Sequence, residues 1–147
     1  MRNLSIAFAM GFLLMLAIIW EADSKKVTID EAKNTVKNLR KPCQKKTNAT
    51  KELLDGQHKG EFPKDERLMC YMKCILTTTK TLRNDEVQYE WFVKNARLML
   101  EEQYVPRVEH VVEVCRERVP TTLKGCELAW ELGKCVWDVD SELYIAP

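Results

Sequence analysis

The chain has 147 residues, of which 46% are hydrophobic and 31% charged, with only five glycines and five prolines. This composition indicates one globular domain and excludes collagen-like, low-complexity and largely disordered chains. The formal net charge of +1 gives no strong basic field to attract nucleic acid, and no acidic excess of the kind found in disordered tails.

The chain opens with a segment typical of a secretory signal peptide. Arg2 precedes an uncharged, mostly apolar run over residues 3–20, and the small residues Ala22 and Ser24 follow. We predict cleavage after Ser24 or Ala22, which leaves a mature domain over residues 25–147. A membrane anchor is the competing interpretation, because the run is close to the minimum spanning length of about 17 residues. No basic stop-transfer flank follows the run, so we expect secretion without membrane insertion.

The first predicted helix begins at a capping box. The Thr28 side chain is placed to accept from the backbone amide of Glu31, whose carboxylate reaches back to the start of the helix. Apolar residues then recur at helical spacing until Pro42, which is expected to end or bend the helix. A short second helix follows, capped by Asn48 or Thr50.

Four longer helices follow, each with an apolar stripe along one face. The third helix is predicted over residues 65–82, and the fourth begins at the polar segment 84–86. The fifth has Pro106 in its first turn and ends at Pro120, and the sixth starts near Lys124. No alternating strand pattern and no internal repeat is present, so the sequence predicts an all-α domain of about six helices.

Secretion decides how the cysteines are interpreted. Outside the cytosol paired thiols oxidise, and an even number of them predicts three disulfides whose connectivity the spacing alone leaves open. Cys70 and Cys74, one helical turn apart, are also candidate zinc ligands, but no other close Cys or His pair completes a tetrahedral set. We therefore predict neither a metal nor a cofactor. Secretion also makes Asn48, in an Asn-Ala-Thr sequon, a candidate glycosylation site. The six cysteines are Cys43, Cys70, Cys74, Cys115, Cys126 and Cys135.

The spacing of these cysteines resembles that of one known family. Successive cysteines are separated by 26, 3, 40, 10 and 8 residues. A secreted helical chain with three residues between its second and third cysteines, and eight between its fifth and sixth, is similar to the insect odorant-binding proteins of the pheromone/general odorant-binding family. Phe62-Pro63 and the segment 68–74 add a similarity to the alcohol-binding members. The resemblance covers the whole mature chain and implies six helices around an internal apolar cavity, with the disulfides Cys43–Cys74, Cys70–Cys126 and Cys115–Cys135.

The resemblance implies a carrier that reversibly binds small hydrophobic or volatile molecules, such as odorants, pheromones, alcohols or esters. Such a carrier transports its ligand through extracellular fluid, in sensory-organ lymph, to an odorant receptor, and it is a monomer or weak dimer. Flexible methionines suit ligands of different shape, although an apolar stripe is buried with or without a ligand. The side chains expected to contact the ligand are Met72, Leu76, Thr79, Thr81, Phe92, Met99, Ala129, Val136, Tyr144 and Ile145.

Two threonines are candidates for orienting the polar end of a ligand. In alcohol-binding members, hydroxyl groups two and seven residues after the third cysteine face the ligand. Here these positions are Leu76 and Thr81, so only the second hydroxyl is retained, which favours a longer and more apolar ligand. We expect Thr81 or Thr79 to bond to a ligand hydroxyl or carbonyl, the alternative being a bond back to its own helix.

The tail after the sixth helix is expected to fold back and form one wall of the pocket, as the resemblance implies. Ala146 stands where alcohol-binding members carry a tryptophan, so the cavity is expected to differ in shape at that end. If Asp138, Asp140 and Glu142 hold the tail against cationic partners, their protonation loosens it, and ligand retention is then weaker at about pH 5 than at about pH 7.

Two other functions were compared with the carrier. A small secreted phospholipase needs a histidine paired with a carboxylate and a glycine-rich calcium loop, and neither His58 nor His110 has that setting. Gly-x-Ser-x-Gly is also absent from the sequence, so no enzyme is predicted. The alternative function is a secreted helical factor that binds a protein partner, which would expose apolar patches.

Overall fold

The computed structural model describes residues 25–147, so the predicted signal peptide lies outside the described residues. Within that part of the chain, no helix is both long and apolar enough to cross a bilayer. The described residues form seven α-helices: α1 (Ile29–Val36), α2 (Arg40–Thr47), α3 (Lys51–Gln57), α4 (Glu66–Thr78), α5 (Tyr89–Met99), α6 (Val105–Arg118) and α7 (Gly125–Val139). Short 3-10 turns lie at Lys37–Leu39, Glu102–Tyr104 and Ser141–Leu143.

The first two α-helices are the arms of one bent helix, so the seven segments make the six helical units that the sequence predicts. The capping box is present: Thr28 Oγ1 accepts from the Glu31 amide at 3.2 Å, and the Glu31 carboxylate accepts from the Thr28 amide at 2.9 Å. Pro42 does not end the helix. It lies in the first turn of α2, where its missing N–H costs little, and the bend falls in the 3-10 turn just before it.

The cap of α3 is Thr50, one of the two residues predicted for it. Its Oγ1 accepts from the backbone amide of Leu53 at 3.4 Å. Asn48 instead terminates α2 in the left-handed conformation with φ 53°, which asparagine tolerates better than most residues. The Asn48 side chain is exposed, and its glycosylation stays a prediction.

A β-hairpin separates α4 from α5, where the sequence predicts helix. Strands β1 (Leu82–Arg83) and β2 (Glu86–Val87) pair antiparallel. Asn84 and Asp85 between them have φ values of 50° and 57°, the two positive values that a type I′ hairpin turn requires. The prediction of helix from 65 to 82, and again from 84, is therefore wrong at these ends, as is the prediction of no strand. Strands of two residues are too short for an alternating pattern to show.

The three disulfides pair as the family resemblance implies. They join α2 to α4, α4 to α7, and α6 to α7. Although Cys70 and Cys74 lie one turn apart on α4, each is bonded to a different helix, so α4 is fixed on two sides. The bonds are Cys43–Cys74, Cys70–Cys126 and Cys115–Cys135.

Two buried clusters fill the interior. The smaller, around Leu54, Leu68 and Tyr71, lies between α2, α3 and α4. The larger, which we call the main apolar cluster, is formed by α4 to α7, the start of α1 and the C-terminal segment 140–147. In the described chain, the exposed large apolar side chains are Leu98 and Met99 at the end of α5. Two neighbouring side chains make a small patch, which gives no support to a protein-binding factor.

Candidate functional site

Seven of the ten predicted ligand contacts lie together in the main apolar cluster. They come from α4, α5, α7 and the C-terminal segment, elements that are distant in sequence, and a disulfide joins α4 to α7. Three of them are buried and four are half-buried at the edge of the cluster. The buried side chains are Met72, Ala129 and Tyr144, and the half-buried ones are Leu76, Phe92, Val136 and Ile145.

The remaining apolar residue, Met99, was predicted to face the interior, but it faces solvent. Its side chain is 54% exposed, whereas the next residue, Leu100, is only 6% exposed. The backbone of Val27 bonds to Met99 and Glu101, and this pairing holds Leu100 against the core. Met99 is the last residue of α5 and lies beside the exposed Leu98, whereas Leu100 is extended, so the chain turns Leu100 inward and leaves Met99 in solvent.

The two candidate threonines form a short hydrogen-bond chain. Thr79 Oγ1 lies 3.0 Å from the carbonyl oxygen of Ile75 and 3.2 Å from that of Leu76, so Thr79 donates back to its own helix. Thr81 Oγ1 lies 3.2 Å from Thr79 Oγ1. Since the Thr79 proton is engaged, Thr81 is the donor between the two hydroxyls, and the lone pairs of the Thr81 oxygen stay available. Thr81 is 8% exposed.

Gly133 on α7 allows the C-terminal segment to approach the helix. A Cβ atom at Gly133 would lie 3.1 Å from Met72 Cε and 3.6 Å from Tyr144 Cε2. Glycine inside a helix is unfavourable by about 1 kcal/mol relative to alanine. A glycine inside a predicted helix therefore indicates a close approach of another element, but Gly133 was not singled out in the sequence.

Two buried tyrosines anchor the C-terminal segment. The Tyr144 hydroxyl donates to Gln57 Oε1 at 2.6 Å, and the Tyr71 hydroxyl donates to the backbone oxygen of Pro147. Gln57 is fully buried, and its Nε2 has no partner in the part of the chain that the structure describes. Gln57 and Tyr71 were not predicted as site residues, because each forms its hydrogen bond with a residue more than seventy positions away.

Ionisation of these tyrosines is expected to destabilise the fold at alkaline pH. Burial raises the pKa of Tyr71 to about 12, and it also raises the pKa of Tyr144. In the unfolded chain both ionise near about pH 10, so the unfolded state binds fewer protons above that pH. The free energy of unfolding should therefore be intact below about pH 10 and fall as the pH approaches about 12.

Tyrosinate absorbance and urea unfolding at increasing pH measure this effect. The Tyr71→Phe variant should lose less stability between neutral and alkaline pH than the unmodified protein, because one buried ionisation is removed. If all four tyrosines of the folded protein ionised at about pH 10, as they do in the unfolded chain, the burial of Tyr71 and Tyr144 would be contradicted.

Two of the three carboxylates assigned to the tail, Asp140 and Glu142, have a cationic partner on another helix, whereas Asp138 lies within α7 and pairs along that helix. Arg107 on α6 donates through Nε and Nη2 to both oxygens of Asp140 at 2.8 Å, and through Nη2 to Glu142 at 2.7 Å. These hydrogen bonds raise the pKa of the Arg107 guanidinium. Asp138 pairs with Lys134 at 2.6 Å. Arg107 thus ties the segment to α6, and the weaker ligand retention at acidic pH stays a prediction.

Aromatic rings surround Tyr144 in edge-to-face contacts. The ring centroids of Phe62, Trp137 and His58 lie 5.7, 5.6 and 6.2 Å from that of Tyr144. The desolvation that accompanies this packing, and the charge of Arg40, lower the pKa of His58. Both histidines of the chain, His58 and His110, are exposed.

A cleft of about 800 Å³ lies between the bent helix α1–α2 and the C-terminal segment. Most of the charged side chains that line it are basic, so it is not the enclosed apolar cavity that the resemblance implies. Tyr144 belongs both to the wall of this cleft and to the main apolar cluster. The aromatic group at Tyr144 therefore separates the cleft from the interior.

Comparisons with known proteins agree with the fold. Odorant binding protein 5 of Apis mellifera is 29% identical and superposes with a TM-score of 0.73 over 84% of this chain and 100% of its own. Odorant binding protein 4 of Chrysopa pallens is 32% identical, with a TM-score of 0.72 over 82% of this chain and 99% of its own.

Odorant binding protein 7 of Anopheles gambiae, solved with four disulfide bridges and in complex with an azo compound, shares the fold. It is 21% identical, with a TM-score of 0.64 over 78% of this chain and 90% of its own. The PBP/GOBP family matches residues 25–139, which is most of the described chain. The protein therefore belongs to the PBP/GOBP family, whose members are small-ligand carriers and not enzymes.

Proposed function

We propose that the protein is a secreted carrier that binds small hydrophobic or volatile molecules among the side chains of the main apolar cluster and delivers them through extracellular fluid to receptors. The observation that carries this proposal is the convergence of seven predicted contact residues from four separate elements in one disulfide-bonded cluster. No covalent bond of the ligand is made or broken, so association and release are reversible.

Burial of apolar surface supplies the affinity. A ligand that hides about 250 Å² of apolar surface gains about 6 kcal/mol, before the loss of its translational and rotational freedom is subtracted. Met72, whose thioether lies against α7 and next to Tyr144, has three flexible bonds that adapt to ligands of different shape. We therefore expect selection by size and apolarity to be broad.

Thr81 adds a polar preference. Its hydroxyl proton is directed to Thr79, and its oxygen keeps free lone pairs, so Thr81 accepts a hydrogen bond better than it donates one. A ligand hydroxyl is a donor, whereas an ester or ketone of the same length is not. We infer that medium-chain alcohols are preferred over matched esters and ketones.

Displacement of a fluorescent apolar probe by small volatiles tests the proposal. We expect probe uptake by the disulfide-bonded protein and displacement at micromolar alcohol concentrations. The Thr81→Val variant should bind alcohols about two- to tenfold more weakly, the loss of one hydrogen bond, and bind esters unchanged. Thr77→Val, exposed in the last turn of α4, is the matched control. Absence of probe uptake would end the carrier proposal, and equal affinity of Thr81→Val for every alcohol and ester would end the role of Thr81.

A further inference from the structure

The cleft between α1–α2 and the C-terminal segment concentrates positive charge. Five basic side chains and one acidic side chain, Asp55, line it, a local excess of four positive side-chain charges in a chain whose net charge is +1. The excess is therefore a property of this surface and is balanced by acidic surface elsewhere. The basic side chains are Lys33, Lys37, Arg40, Lys41 and Lys51.

The single acidic side chain of the cleft, Asp55, is already paired with basic side chains. Asp55 accepts from Arg40 at 2.6 Å and from Lys51 at 2.5 Å. Hydrogen bonds from Lys51 and Arg40 lower the pKa of Asp55 to about 2, so it stays ionised and paired. The other three lysines of the cleft have no ion-pair partner among residues 25–147.

These three lysines lie on one face of the bent helix. Lys33, Lys37 and Lys41 follow one another at intervals of four residues, the spacing that stacks side chains along one side of a helix. Like charges at this spacing repel one another. An anion held between them would replace that repulsion with attraction, and charge-assisted hydrogen bonds to ammonium groups are the stronger kind.

The opposite wall of the cleft is aromatic. Trp137 and Tyr144 line it together with Ala146 and Pro147, and the two rings pack edge to face with centroids 5.6 Å apart. The cleft thus places a row of ammonium groups opposite an apolar wall. Its volume of about 800 Å³ is in the range of pockets that hold small organic ligands.

We propose that this cleft is a second binding site, on the opposite side of Tyr144 from the interior of the main apolar cluster, for a small amphiphile with an anionic head and an apolar chain, such as a long-chain carboxylate. The lysine row binds the head group, and the aromatic wall contacts the chain. The proposal does not depend on ligand binding in the interior. The concave shape favours a single molecule over a flat lipid surface.

Decanoate and decanol form a matched pair of probes, because they share the chain and differ in charge. Isothermal titration of the disulfide-bonded protein at low ionic strength should give decanoate binding that weakens at least tenfold in K33Q/K37Q/K41Q and weakens with added salt. Decanol should bind the variant and the unmodified protein equally. K45Q/K46Q/K59Q removes the same charge from exposed lysines outside the cleft and should leave decanoate binding unchanged.

Unchanged decanoate affinity in K33Q/K37Q/K41Q, or an equal loss in both triple variants, would overturn the proposal. Sedimentation with phosphatidylglycerol vesicles distinguishes the source of the anion. If the lysine row is needed for vesicle binding and monomeric decanoate does not bind the cleft, the ligand is a lipid surface and the proposal of a small amphiphile is wrong. Circular dichroism of each variant checks that the helices are retained. Absence of apolar probe uptake with decanoate binding unchanged would contradict the proposed carrier function but not the proposed cleft site.

Discussion

The variant Cys70→Ala/Cys126→Ala is expected to lose about 4 kcal/mol of unfolding free energy. This disulfide joins α4 to α7 across 56 residues of sequence, and in the chain-entropy account a longer closed loop restricts the unfolded chain more. Because the whole stability of a domain of this size is about 5–15 kcal/mol, the variant should be close to unfolding at 37 °C, as is typical when small secreted domains lose a disulfide. Urea unfolding under non-reducing conditions measures the loss.

The disulfide between α6 and α7 is the matched control. Cys115 and Cys135 are only 20 residues apart, so Cys115→Ala/Cys135→Ala is expected to lose about 3 kcal/mol. The order of the two losses is the sharper test. A larger loss for the shorter loop would show that packing around the bridge outweighs the restriction of the unfolded chain.

Replacement of Tyr144 by alanine is expected to lose about 3–5 kcal/mol, the range for removal of a buried aromatic side chain. Tyr144 is 6% exposed and contacts the rings of Phe62, Trp137 and His58. Its removal should also speed the release of an apolar probe, because the wall between the cleft and the main apolar cluster is opened. Stopped-flow fluorescence measures the dissociation rate.

Tyr144→Phe separates the hydrogen bond from the ring. The phenylalanine keeps the edge-to-face contacts but leaves Gln57, which is fully buried, without any side-chain partner, at a cost of about 1–3 kcal/mol. Tyr144→Phe/Gln57→Leu should recover part of that loss, since neither polar group is then left unpaired. If Tyr144→Phe is as unstable as Tyr144→Ala, the hydrogen bond rather than the ring holds the segment.

Features that depend on neighbours in sequence were predictable. The Thr28 and Thr50 caps and the apolar stripes of α4, α6 and α7 act within a few residues, so their patterns are visible in the sequence itself. The Asn84-Asp85 turn was also local, but asparagine and aspartate are favoured both at helix N-caps and in hairpin turns with positive φ. The disulfide pairing followed from the family resemblance, since spacing alone does not determine connectivity.

Oxidised cysteines, six helical units and the carrier family were thus determined by the sequence and its resemblance, and secretion stays a prediction. The tertiary structure alone decided that Tyr144 contacts Gln57, that Arg107 contacts Asp140, and that the lysine row lines the same cleft as the aromatic wall. Each of these contacts joins residues from about 30 to 110 positions apart. Helical periodicity assigns a residue to a face, but the crossing of helices and the path of the C-terminal segment decide what that face touches.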